Sequence, residues 1–162
     1  MAVRTVLTYP DPILKQVCAP ARQGEVDDLV ADLVDTMRSF DHCVGLAAPQ
    51  IGVASRVAVI DVSEHPHAKD PHGLIVLVNP KITAVSEGSK VSREGCLSLP
   101  DLTANVRRPR KATIDTGTGE IEVRSFEARC VLHEIDHLDG ILFLDRVASI
   151  TDDLFRRQNY RD

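Results

Sequence analysis

Two histidines stand four residues apart in His133-Glu134-Ile135-Asp136-His137, with a glutamate directly after the first. On a helix of about 3.6 residues per turn, positions four apart share one face and stand one turn apart. Both imidazoles can then close on a single metal ion. Glu134, about 100° further round, is left to handle a proton on water activated by that ion. The pattern points to metal-assisted attack of water on a carbonyl. An amphipathic helix with ordinary polar histidines fits the same five residues, so the reading turns on a third ligand.

Certain elements must position these residues. A helix is expected from residue 125 or 126 to 138, with Ser125 as N-cap, Glu127 in the first turn and Asp139-Gly140 as its stop. A second helix is expected over residues 25–40, where Val26, Leu29, Val30, Leu33, Val34, Met37 and Phe40 recur at helical spacing. Strands are expected at 56–62, 74–79, 81–85, 102–106, 111–115, 120–124 and 141–147, with a short helix from 150 onward. The polar loop 63–73 carries His65, His67 and His72, read as solvated side chains. No repeat or linker interrupts the chain, so one α+β domain is expected over 1–162, with a short tail at about 150–162.

The formal net charge of -5 gives no basic field for nucleic acid. No stretch approaches the ~20 apolar residues of a membrane helix, and no apolar leader is visible near Met1. Cys18, Cys43, Cys96 and Cys130 show no paired spacing, which favours free thiols in a reducing compartment. The expected location is cytoplasmic. Aromatic residues make up only 4%, so the core must be mainly aliphatic.

Downstream of His137, known helix-borne two-histidine patterns find no third ligand. One protease pattern needs a histidine where this chain has Phe143, and no glutamate follows Glu134. Upstream, Glu94-Gly95-Cys96-Leu97-Ser98 puts a cysteine after a glycine, and by residue type alone Cys96 reads as a small buried apolar side chain. Gly45-Leu46-Ala47-Ala48-Pro49-Gln50-Ile51-Gly52 reads as a tight small-residue turn that would let a substrate backbone approach closely.

Together these three segments resemble, in order, the three signature motifs of the peptide deformylase family, and the similarity extends from Tyr9-Pro10-Asp11 to about Val147. The expected fold is α+β, with antiparallel or mixed sheets surrounding a central metal-binding helix and an N-terminal amphipathic helix. The resemblance implies that Cys96, His133 and His137 hold one divalent metal, with water in the open fourth place. Iron(II) is the family's usual metal; zinc, nickel and cobalt(II) suit the same thiolate and imidazoles. Glu134 is implied as the base, with Gln50 and the Leu97 N–H as oxyanion donors. Gly45 would shape the wall beside the substrate, and Val44, Phe126 and Cys130 would line a methionine pocket. Glu94 would support the metal ligands from behind, and an Asp136–Arg108 pair would anchor the ligand helix. The implied substrates are N-formylmethionyl peptides and nascent chains, with association with the ribosome left open. A zinc peptidase and an inactive peptide-binding relative are the competing readings.

Three departures stand out. Cys43 occupies the first glycine of the first motif, which would cost about 1 kcal/mol or more if that position needs φ > 0. It also places a second thiol near the site, open to oxidation. Leu132 replaces a glutamine that usually precedes the first ligand histidine. The tail, with Arg156, Arg157 and Arg161, is shorter than the helical tail by which some members dock on the ribosome.

Overall fold

The computed structural model describes residues 2–157. The apolar period near the N-terminus forms α1 (Val26–Arg38), which buries Leu29, Leu33 and Met37 on one face and keeps Asp27 and Asp28 in its first turn. A three-stranded antiparallel sheet lies beside it: β1 (Gly45–Ala47), β2 (Val57–Ile60) and β3 (Ile75–Val78), in that order. All four residues of β2 are buried. Strand alternation explains why. Val57 and Val59 pack with Leu33 and Met37, while Ala58 and Ile60 pack with the residues of a second helix.

That second helix is α2 (Ser125–Leu138), which ends where Asp139-Gly140 was expected to stop it. Both Glu134 and His137 are buried in it, and its apolar residues Ala128, Val131 and Ile135 share a core with Ile60 and Leu77. The same core includes Ala112, Ile114 and Val123 from a second antiparallel sheet, ordered β4 (Lys81–Val85), β7 (Lys111–Asp115), β8 (Glu120–Arg124). The third sheet is ordered β5 (Ser89–Cys96), β6 (Leu99–Pro109), β9 (Leu154–Arg156). Its apolar side packs Leu99, Ala104 and Val106 against Leu14 and Phe143. Among the described residues, three small antiparallel sheets and three helices, the last being α3 (Ile150–Asp153), therefore make an α+β fold. None of its described helices is long and apolar enough to cross a membrane.

Several expectations need correction. The apolar run 141–147 is not a strand; Phe143–Arg146 forms a 3-10 turn, held by Asp145, which accepts from the Leu142 N–H at 2.8 Å. Ser125 is not the N-cap of α2. Arg124 occupies that position in extended geometry, and Ser125 follows at φ 56°. The segment from 150 is helical for one turn only and then becomes β9, paired with Leu102, Thr103 and Ala104 of β6. Strands β1 and β5 were not foreseen, and β6 runs several residues beyond each end of the expected 102–106. In the tail, Arg161 lies outside the described residues.

Candidate metal centre

Cys96 closes β5, where the β5–β6 register shifts between Gly95 and Cys96. Such a bulge re-aims a side chain, and here the Cys96 Sγ comes within 3.4 Å of His137 Nε2. His133 stands one turn back on α2, its ring centroid 5.1 Å from that of His137. One ligand atom from each of Cys96, His133 and His137 lies within 4.8 Å of the others. This Cys–His–His set can hold a metal ion, and its soft thiolate and imidazole donors fit a transition metal rather than magnesium or calcium. The spacing of the histidines announced their placement; Cys96, which the resemblance implied as a ligand, is brought to them by the register shift.

Glu94 sits behind the cluster and fixes its orientation. A carboxylate only accepts, so His133 donates from Nδ1 to Glu94 Oε1 at 3.0 Å, which leaves Nε2 for a ligand. Arg108 grips the same carboxylate in a two-pronged contact, Nε to Oε2 at 2.6 Å and Nη2 to Oε1 at 2.9 Å. Its Nη1 donates to Asp136 Oδ2 at 2.9 Å. Two further arginines complete the network: Arg129 donates to Glu94 Oε2 at 2.6 Å, and Arg146 donates to Asp136 at 2.5 and 2.7 Å. Burial alone would raise the Glu94 carboxyl, but the contacts from Arg108 and His133 hold it well below the usual carboxylate range. Sequence reasoning missed Arg129 and Arg146. Arg129 precedes His133 by four residues, and that helical spacing was the available signal.

Glu134 is enclosed differently. Burial pushes its carboxyl up to about 7, with His133 and Arg108 pulling the other way. Its Oε2 is buried without a hydrogen-bond partner among the described residues. Gly45 makes the room, since a Cβ there would meet Glu134 Oε1 at 2.8 Å. Gln50, on the 3-10 turn Ala48–Ile51 after β1, accepts from the Ala47 N–H at 3.0 Å through Oε1. Its Nε2 donates to Ser98 Oγ at 3.1 Å and lies 3.5 Å from Cys96 Sγ. Ser98 had no role assigned from sequence, although it sits two residues beyond Cys96.

A cavity of about 530 Å³ is lined by Val44, Gly45, Gln50, Glu94, Cys96, Leu97, Phe126, Cys130, His133 and Glu134. His137, Asp136 and Arg108 are buried behind that wall. Residues not foreseen also reach the cavity: Phe40, Asp41, His42, Arg93, Gly95, Arg129 and Arg157, together with Cys43. Burial drives the Cys130 thiol well above its ordinary value, so it behaves as a small apolar wall. Cys43 shows no backbone strain, for the non-glycine residues at positive φ among those described are Asp70, Asn79 and Ser125. Its thiol donates to the Gly45 carbonyl at 3.2 Å, and burial pushes its pKa to about 12. Leu132 packs in the aliphatic core instead of serving the site. Of the loop histidines, His67 and His72 are exposed as expected, while His65 is half-buried and stacks on Phe126 at 3.9 Å; His72 also pairs with the buried Glu127.

Cys96 and His133 line the cavity, and His137 lies against Cys96, so an ion held by the three would face it. A sequence model of the polypeptide deformylase family matches residues 3–153. A peptide deformylase of Thermodesulfovibrio yellowstonii is 39% identical, over 98% of this chain and 97% of that protein. Among solved structures, a peptide deformylase from Legionella pneumophila superposes with TM-score 0.80 at 37% identity, covering 92% of this chain and 88% of that one. A Met-Ala-Ser-bound class I type b peptide deformylase from Acinetobacter baumannii gives TM-score 0.80 at 34% identity, covering 90% and 99%. The chain belongs to the polypeptide deformylase family, hydrolases that act on formyl-methionine peptides in protein biosynthesis. Members are metalloenzymes, and Cys96, His133 and His137 form the cluster that can hold the ion.

Proposed function

We propose that this cavity removes the formyl group from N-formylmethionyl peptides and releases formate. The observation that carries the reading is the meeting of Cys96, His133 and His137 within 4.8 Å beside the buried Glu134 carboxylate. A divalent ion held there by Cys96, His133 and His137 would supply Lewis acidity toward water and the formyl oxygen. Iron(II) is the expected ion, with zinc, nickel and cobalt(II) as alternatives of compatible chemistry.

The remaining steps belong to side chains. Glu134, with its carboxyl raised to about 7, is suited to take a proton from the attacking water. The water oxygen bonds to the formyl carbon, and the carbon–nitrogen bond then breaks. Glu134 returns the proton to the departing amine, leaving formate and a free N-terminus. Gln50 Nε2 and the Leu97 N–H donate to the oxygen that gains charge. Val44, Phe126 and Cys130 hold the methionine side chain in an apolar wall. Strands β1 and β5 each end a sheet and each line the cavity, so an extended peptide between them can pair with backbone on either side. The Met-Ala-Ser held by the Acinetobacter baumannii relative is the kind of product such a reaction leaves. Nascent chains made in the cytoplasm are the natural source of these substrates.

The test is formate release from formyl-Met-Ala-Ser after anaerobic loading with iron(II), beside acetyl-Met-Ala-Ser. Formate from the first and no acetate from the second is expected. Absence of formate with all four metals would favour a binding role, and cleavage of an internal peptide bond would favour a peptidase.

A further inference from the structure

The loop that joins β2 to β3 is tied to the start of α2 at three points. His65 stacks on Phe126, with ring centroids 3.9 Å apart and planes 16° from parallel. The His72 backbone N–H donates to Glu127 Oε2 at 2.8 Å, and His72 Nδ1 lies 2.5 Å from Oε1 of the same buried side chain. Asp70 pairs with Arg124, the residue before α2. Between these points Ala68 packs on the core that also carries Val44 and Phe126. His65 is itself fixed within the loop: its N–H donates to the Val62 carbonyl at 2.9 Å, and its carbonyl accepts from the Ala68 N–H at 3.0 Å. Its Nδ1 accepts from the His67 N–H at 3.2 Å, which requires that nitrogen to be unprotonated. Burial, with His67 beside it, also holds its pKa below the ordinary histidine value. The ring on Phe126 is therefore a neutral, flat surface.

Phe126 lines the substrate cavity, and His65 does not. The imidazole thus covers Phe126 from outside the cavity. Phe126 is only half-buried at the second position of α2, so its ring depends on this contact to stay in one rotamer. Resting on the deformylase reading above, we propose that His65 is a positioning residue for the methionine pocket: by holding the Phe126 ring forward it sets the width of the apolar wall, and so the preference for methionine over bulkier first residues. Removing the imidazole leaves space behind Phe126 into which its ring can retreat. The pocket then widens, and a larger side chain enters at lower cost. Stacking, not charge, carries the effect, so another flat ring at residue 65 serves equally well.

The experiment compares formyl-Met-Ala-Ser with formyl-Phe-Ala-Ser on the metal-loaded parent, His65→Ala, His65→Phe and His67→Ala. The ratio of kcat/KM, methionine over phenylalanine, is expected to fall about fivefold in His65→Ala, the order of one aromatic contact, and to do so through KM. His65→Phe should keep the parental ratio. His67→Ala, which alters the same loop without touching the Phe126 stack, should keep it too. An unchanged ratio in His65→Ala, or an equal fall in His67→Ala, would overturn the proposal. Binding of Met-Ala-Ser and Phe-Ala-Ser, measured by calorimetry on the same four proteins, reads the pocket without turnover. Absence of formate from every peptide would count against the deformylase reading. The ratio of the two binding affinities would still decide the role of His65: a fall confined to His65→Ala supports it, and an unchanged ratio contradicts it.

Discussion

Gly45 and Glu134 fit each other. The glycine leaves the space in which the carboxylate lies, and a Cβ at residue 45 would stand 2.8 Å from Oε1. Backbone strain does not explain the glycine, since it is not among the residues at positive φ. Close approach does, and it links the first motif to the third across the cavity.

Gly45→Ala should therefore fold normally and fail in catalysis. A displacement of about 1 Å in a reacting group costs on the order of 10²-fold, so kcat/KM on a formyl peptide should fall by about that factor with an unchanged circular dichroism spectrum. Unchanged kinetics would show that the carboxylate can move aside at no cost.

Glu94 joins Arg108, Arg129 and His133. Glu94→Gln leaves two buried guanidiniums short of a charge partner, and about 3–5 kcal/mol of stability should be lost at pH 7. The sign of the pH dependence follows from the lowered carboxyl. Its contribution is present above the unfolded value of about 4.3 and is lost as pH falls toward the folded value. Urea unfolding should show the gap between parent and variant narrowing below about pH 4. A gap that stays constant to pH 3 would contradict this account.

Gln50 holds its orientation through the Ala47 N–H and Ser98. Gln50→Ala should lower kcat by about 10²–10³, the usual effect of removing one oxyanion donor. Ser98→Ala removes only the contact that aims the amide and should cost less. Steady-state kinetics of the two variants would reveal the reverse ranking if Ser98 were the donor.

The Cys43 thiol was expected to be an oxidation hazard, but its raised pKa argues otherwise. With a value of about 12, almost none is thiolate near neutral pH, and the thiolate is the reactive form. Inactivation by peroxide should therefore proceed at the same rate in Cys43→Gly. Clear protection by that substitution would restore the first view.

Legibility from sequence followed the strength of local pattern. The bounds of α2, β7 and β8 were readable because apolar period and turn residues agree there. Strand β5, Ser-Lys-Val-Ser-Arg-Glu-Gly-Cys, carries no apolar alternation; it is held by pairing with β6 and by the buried charges on Glu94. The run 141–147 is apolar enough for a strand, yet Asp145 folds back on Leu142 and closes a turn. The two ligand histidines announce themselves by spacing. By contrast, Arg129 and Arg146 hold Glu94 and Asp136, partners that the fold brings near.

The central claim is that Glu134 moves the proton at a Cys96–His133–His137 site. Its most direct test is the Glu134→Gln variant, loaded anaerobically with iron(II) and assayed for metal content and formate release together. The account predicts one metal per chain in both proteins and formate from the parent alone. Formate release by the variant at the parent's rate, with metal content unchanged, would contradict it.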